Sequence, residues 1–339
     1  MDKTVNVAVV GATGVVGREL LSALAESGHP AERVTALASE RSAGQEVDFG
    51  EDSLEVEKTV AESFRGMALV FLAVPPDVAR LLGPGAQAAG AWVVDLSAAH
   101  LADMTVPVVV PGINGALVSR PFSGRIVRCA SPVTVALASV LEPLRTAFGL
   151  AQVVVTALLG GSSAGMKGVS ELESQTASLL SGRELDTVVF PHRLAFNLIP
   201  HVGAFASSGS TGEELGWRAD LTRLWAGQMT APVDGTAVQV PTFFGHSLAL
   251  TVKLGRGTQV EQVRAALAAS SALKVLDTPS EKIYPMPLLV TADPAVLVGR
   301  IRSFAGLLDT FSLFAVVDNV GRGAALSALE TGELLLGRA

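Results

Sequence analysis

Val5-Asn6-Val7-Ala8-Val9-Val10-Gly11-Ala12-Thr13-Gly14-Val15-Val16-Gly17-Arg18-Glu19-Leu20-Leu21 is the stretch on which the fold of this chain turns. A β-branched run, Val5 to Val10, gives way to a glycine-rich turn and then to a helical pattern over Val15–Glu26. Strand, glycine turn and helix in that order give the glycines a physical purpose. They let the backbone approach a pyrophosphate, while the first-turn N–H groups and the positive helix end favour the anion. Gly11, Thr13, Gly14, Val15, Val16 and Gly17 are therefore the first candidate dinucleotide contacts. A tight strand-to-helix turn without a ligand is the plainer alternative.

A second strand is expected over Arg33–Ala38, followed by Ser39-Glu40-Arg41-Ser42-Ala43-Gly44. An NAD site wants an acidic residue near the end of this strand to hold the ribose 2′-hydroxyl. Arg41 between Ser39 and Ser42 instead offers a cation and hydroxyl donors to a 2′-phosphate. NADP is expected in preference to NAD, with Glu40 as a solvated loop charge.

Further outward, Ala68–Ala73 and Ala91–Asp95 read as strands and Asp77–Ala89 as a helix. This alternation predicts an α/β fold with a Rossmann-type, doubly wound, mostly parallel sheet. Beyond it, Val153–Leu159, Ala237–Phe244, Ala249–Leu254 and Leu297–Arg302 read as strands. Ser170–Ser181 and Leu215–Gly227 read as helices, which makes the second region an α+β dimerisation and catalytic-like domain. Gly323–Leu336 reads as a terminal helix returning to the first domain. The expected division is 1–128 plus 318–339 for NADP binding and 129–317 for dimerisation and substrate.

The 339 residues are 49% hydrophobic, ample for two cores. With 25 basic and 32 acidic residues the net charge is −7, which argues against nucleic acid or an anionic membrane surface as partner. Mean hydropathy is +0.45, yet Gly, Pro, Ser or a charge breaks every long apolar run. The one cysteine excludes an internal disulfide and suits a reducing cytoplasm. The N-terminus leads straight into a strand, with no room for a signal peptide. The five histidines are scattered, so no metal site is expected.

That cysteine lies in Arg128-Cys129-Ala130-Ser131-Pro132-Val133-Thr134. Ser131 reads as a helix N-cap and Pro132 as the first helical residue, ahead of an apolar stretch running to Leu144. A catalytic thiol needs the helix N-terminus, where unpaired N–H groups favour the thiolate. Cys129 falls just before the cap.

The motifs taken together resemble the aspartate-semialdehyde dehydrogenase family over nearly the whole chain. The resemblance rests on Gly11–Gly17, Ala38–Gly44, Val106–Asn114, Ala164–Val169, Phe190–His201, Val240–Ser247, Val298–Arg302 and Asp318–Ala325. It implies a homodimer, or pairing with an active paralogue, and an NADP-dependent exchange of acyl phosphate and aldehyde through a thioester, in amino-acid biosynthesis. It adds Ala73, Ser162, Gly165 and Asn319 to the cofactor contacts and makes His246 the acid–base residue. Several positions depart from the family pattern. Gln239 stands for the carboxylate-binding arginine, Gly216 for a lysine after Glu213-Glu214, Leu101 for an arginine and Leu159 for a glutamine. Counted back from Pro143-Leu144, the thiol position falls on Pro132. His100, next to Leu101, reads as a lone exposed histidine. These losses resemble the catalytically depleted paralogues of the family. The alternative is an active semialdehyde dehydrogenase using Cys129 and His246. A reductase without a covalent step, with His246 as proton donor, is a third possibility.

Overall fold

The computed structural model describes residues 3–337 except 120, 121, 123, 226–230, 256 and 293. It divides into two compact units, one of residues 3–131 with 324–337 and one of residues 132–323.

The first unit is built on β1 (Val7–Val10), α1 (Val15–Glu26), β2 (Val34–Ala38), β3 (Glu46–Phe49), β4 (Asp52–Lys58), β5 (Leu69–Leu72), α2 (Pro76–Ala88), β6 (Trp92–Asp95), β7 (Val108–Val109) and β8 (Ile126–Cys129). The strands form one sheet in the order β3-β4-β2-β1-β5-β6-β8-β7. All pairs are parallel except β3–β4. Every residue of β1 and β5 is buried, because helices cover both faces. Val7, Val9, Leu69 and Phe71 face Leu20, Leu21 and Leu24 of α1 and Ala328 and Leu329 of the terminal helix Leu326–Leu336. Ala8, Val10, Val70 and Leu72 face Ala79 and Ala86 of α2. Strand order reverses at β1, between β2 and β5, which makes its carboxyl end the ligand crevice of such a sheet.

The hairpin β3–β4 was not foreseen. Its strands are rich in acidic residues and turn only Val47, Phe49 and Val56 fully inward. A charged edge of this kind protects a sheet from further pairing but carries little hydrophobic signal.

The second unit comprises α3 (Pro132–Phe148), β9 (Leu150–Leu159), α4 (Gly165–Leu180), α5 (Gly212–Leu224), β10 (Val233–Gln239), β11 (His246–Leu254), α6 (Val260–Ala268), β12 (Leu273–Val275), β13 (Val296–Ser303) and β14 (Thr310–Val317); the terminal helix above is α7. Its mixed sheet runs β10-β9-β11-β14-β13-β12. One face is covered by α3, flanked by α5 and α6, and α3 buries ten residues there.

Two expectations need correction, and a third element outruns its apolar stretch. The strand expected over Ala237–Phe244 ends at Gln239. Pro241 lacks an N–H, Gly245 has φ +82°, and the carbonyls of Thr242 and Phe243 turn to accept from Gly161 and Ser162. The helix that begins at Pro132 continues past the apolar stretch, through Pro143 to Phe148, with Glu142 bonded to both Arg145 and Thr146 around the interruption. The helix expected over Leu215–Gly227 starts earlier, at Gly212, behind Thr211. There Glu214 accepts from the Thr211 N–H at 2.7 Å and the Thr211 hydroxyl accepts from the Glu214 N–H at 3.5 Å. Gly227 lies outside the described residues.

Candidate functional site

In the first unit, the turn after β1 is a cradle that tolerates no side chain at two points. Gly11 has φ +87°, and a Cβ there would come 2.3 Å from the Ala73 carbonyl oxygen. A Cβ on Gly17 would come 2.1 Å from the Gly11 oxygen. The N-cap of α1 is Gly14, which has no side chain to satisfy the first-turn N–H groups of Val15, Val16 and Gly17. Those donors and the positive helix end fit a pyrophosphate. Ser39, Arg41 and Ser42 follow β2, and the Thr13 hydroxyl donates to Ser42 Oγ at 3.5 Å. Glycine turn and post-β2 loop therefore meet, as a dinucleotide site requires.

Cys129 closes β8 in the apolar core of the same unit. It is 3% exposed, and its thiol donates weakly to Thr331 Oγ1 of α7 at 3.9 Å. Burial pushes the thiol up to about 12; Asp95 adds to this, while Thr331 and Arg128 oppose it without prevailing. The first residue of α3 is Pro132, so no thiol occupies that helix terminus.

His100 is not the lone exposed histidine expected. Its Nδ1 lies 2.9 Å from Oδ2 of Asp95, a fully buried carboxylate whose Oδ1 accepts from the Ser97 N–H. The pairing is local, Asp95 ending β6 and His100 following five residues later, but no hydrophobic pattern announces it.

In the second unit, register aligns the other candidates. Gln239 of β10 pairs with Leu159 of β9, Leu159 with His246 of β11, and His246 with Val317 of β14. These four residues form one row on the helix-covered face of the sheet. His246 is 2% exposed, and its Nδ1 accepts from the Gly160 N–H at 3.4 Å. Burial lowers the imidazole from 6.5 to about 4, outweighing the Gly245 carbonyl, which favours the protonated ring. At neutral pH the ring is uncharged. With Nδ1 accepting, Nε2 carries the proton.

Beyond the row, Asn319 Oδ1 accepts from Ser162 Oγ at 3.1 Å and from the Gly245 N–H at 2.9 Å, so the two expected cofactor residues touch each other. Gly165, φ +70°, opens α4 a turn further on. Gln239 differs from expectation in one respect. Its amide nitrogen donates to the carbonyls of Leu159 and Gly160 at 2.8 and 2.7 Å, and its oxygen accepts from Ser163. No donor of this amide is left for a substrate carboxylate. Gln239 is a staple for the end of β9.

One group escaped the sequence reading. Glu213 and the buried Asp220 lie seven residues apart on α5, so they share a face, and burial followed by the Asp220 charge raises Glu213 to about 7. Thr134, in the first turn of α3, donates to Asp220 at 3.3 Å. The glutamate pair was visible in the sequence; the partner carboxylate was not.

A nucleotide turn at a sheet switch point, joined in sequence to a mixed-sheet unit with a buried histidine, defines a class of two-unit dinucleotide-binding proteins. Comparison with known proteins narrows the class. Residues 6–120 match the family described as semialdehyde dehydrogenase, NAD binding domain, and residues 141–322 match its dimerisation domain. Aspartate-semialdehyde dehydrogenase of Rickettsia conorii is 32% identical over 99% of both chains. The "USG-1 protein homolog" of Pseudomonas aeruginosa is 36% identical, again over 99% of each. Among solved structures, aspartate semialdehyde dehydrogenase II of Vibrio cholerae complexed with ASA superposes with a TM-score of 0.93 at 30% identity, covering 98% of each chain. A probable aspartate-semialdehyde dehydrogenase from Pseudomonas aeruginosa gives 0.90 at 35%, with the same coverage. The chain belongs to the aspartate-semialdehyde dehydrogenase family.

Proposed function

We propose that this chain is a cytoplasmic NADP-binding member of the family that has lost semialdehyde dehydrogenation and persists as a dimeric binding or regulatory protein. The observation that carries this reading is the state of the sulfur. Dehydrogenation through a thioester begins with a thiolate adding to the aldehyde carbon. At pH 7 a thiol raised to about 12 is ionised in about one molecule in 10⁵, and Cys129 is also walled in by the core of the first unit.

The rest of the candidate site supports the same reading. A nicotinamide, when bound, exchanges hydride with substrate; the protein must hold the carbonyl and move a proton. His246 Nε2–H can donate a hydrogen bond to a carbonyl oxygen, but a neutral imidazole with Nδ1 occupied offers no free base to ionise a thiol. A substrate α-carboxylate would find no cation at Gln239, a loss of about 2–5 kcal/mol.

Gly11–Gly17 with Ser39, Arg41 and Ser42 would hold NADP; the family resemblance adds Ser162, Gly165 and Asn319 as cofactor contacts. The partner is a second copy of the chain, through the dimerisation domain; pairing with an active paralogue is the variant of this idea. Incubated with aspartate semialdehyde, phosphate and NADP, the purified chain should give no NADPH above background, with or without Cys129→Ser. Turnover that Cys129→Ser abolishes would establish the active-enzyme reading instead.

A further inference from the structure

We propose that Lys58 sets the dinucleotide preference of this chain by holding Glu40 against β4, away from the place where a strand-end carboxylate would accept the ribose 2′-hydroxyl of NAD. The proposal rests on the NADP reading above and adds a positioning residue to it.

Glu40 is the first acidic residue after β2, which makes it the one candidate in this loop for the NAD-type contact. It opens the 3₁₀ turn Glu40–Ser42. At three residues per turn, the side chains of Glu40, Arg41 and Ser42 leave in three directions. Two are fixed by observed partners. Ser42 meets Thr13 of the glycine turn, and the Glu40 carboxylate meets Lys58 Nζ at 3.0 Å. Arg41 makes no ion pair among the described residues, so its guanidinium is the group left to face a phosphate.

The Glu40–Lys58 geometry is set by backbone. Lys58 ends β4 in register with Ala38, the last residue of β2. Thr59 donates to the Ala38 carbonyl through both its N–H and its hydroxyl. On the far side of the turn, the Gly44 N–H donates to Val56 and the Val56 N–H to Gln45. The loop is thus tied to β4 at both ends, and Lys58 lies where Glu40 must turn to meet it.

Both side chains are exposed, so the pair adds little to stability and its removal leaves the fold intact. Its consequence is electrostatic. Without Lys58, the Glu40 carboxylate is free to swing toward a ligand phosphate that carries close to two negative charges, and the two repel.

The test is direct titration of the full chain with NADPH and with NADH, read by nucleotide fluorescence. Lys58→Ala should weaken NADPH binding roughly two- to fivefold and leave NADH unchanged or tighter. Lys58→Arg should keep the parent ratio. In a Glu40→Gln background, Lys58→Ala should change the ratio by less than about twofold, because the carboxylate being restrained is gone. A parent-like ratio in Lys58→Ala overturns the proposal alone. So does an equal loss in the Glu40→Gln background, which would make Lys58 a direct phosphate contact. A parent chain that binds NADH as tightly as NADPH overturns the NADP reading and this proposal with it.

Discussion

At the scale of single residues, two buried groups fix what this chain can do in water, and both give measurable signatures. Cys129 should resist a disulfide reagent in the native state and react fully once denaturant unfolds the first unit; fast native labelling near neutral pH would contradict its raised titration. His246 makes a pH prediction with a definite sign. Its folded value, about 4, lies below its unfolded 6.5, so the unfolded chain binds the extra proton between those limits. The contribution is fully present above pH 6.5 and is lost as pH falls toward 4. It amounts to roughly 3 kcal/mol if the whole shift is realised. Denaturant titrations at a series of pH values should show this slope in the parent and lose it in His246→Gln. Equal pH profiles for the two would mean that the imidazole is solvated.

At the scale of elements, the contrast between β8 and α3 can be tested by moving the sulfur. Pro132→Cys puts a thiol in the first turn of α3, where unpaired N–H groups stabilise the thiolate. It should react with a disulfide reagent about a hundredfold or more faster than Cys129 at pH 7. An equally inert thiol at 132 would show that the terminus gives no activation. Helix α5 supplies a second case, opposite in sign to His246. Glu213 titrates near 7 in the fold and near 4.5 unfolded, so stability falls as pH rises from 4.5 through 7. Glu213→Gln should therefore gain stability over the parent at pH 8 and match it near pH 4, as thermal melts would register. These elements also mark how far sequence carries. Val15–Glu26 could be bounded to the residue because β1, the glycine turn and the apolar stripe of α1 all agree locally. Pro132 was legible as the start of α3 for the same reason. The hairpin β3–β4 was not, since its strands are mostly exposed and acidic and carry too few apolar residues to announce themselves. Nor could the sequence indicate that Gln239 spends both amide protons on β9 or that Asp95 holds His100, because hydrogen-bond partners follow from register and turn geometry rather than composition.

At the scale of the molecule, the six-stranded sheet of the second unit poses the remaining physical question. Among the described residues, α3, α5 and α6 lie over one face, while the other is covered only in part, by Val290 of the 3₁₀ turn Pro287–Ala292 against Leu297 and Val316. That open face presents Val154 and Thr156 of β9, Ala249 of β11, and Arg300 and Arg302 of β13. Two depressions of about 1100 and 600 Å³ open on it, and neither is lined by His246, Gln239 or Asn319. Leu307 and Leu308, 56% and 88% exposed, rim the larger one. A sheet face that mixes Val154 and Ala249 with Thr156, Arg300 and Arg302, beside two exposed leucines, has the apolar centre and polar surround of a surface suited to a second copy of itself. In a two-fold pair the same patch serves both partners, so one substitution acts twice. Val154→Asp would bring two carboxylates into that buried interface while leaving the helix-covered face untouched. Light scattering should give twice the chain mass of 34.9 kDa for the parent and the single mass for the variant, with unchanged far-ultraviolet dichroism. A variant that stays at the double mass would move the dimer contact to another surface. A parent that is single alone and doubles only with an active relative would make this chain a subunit built for pairing with that enzyme.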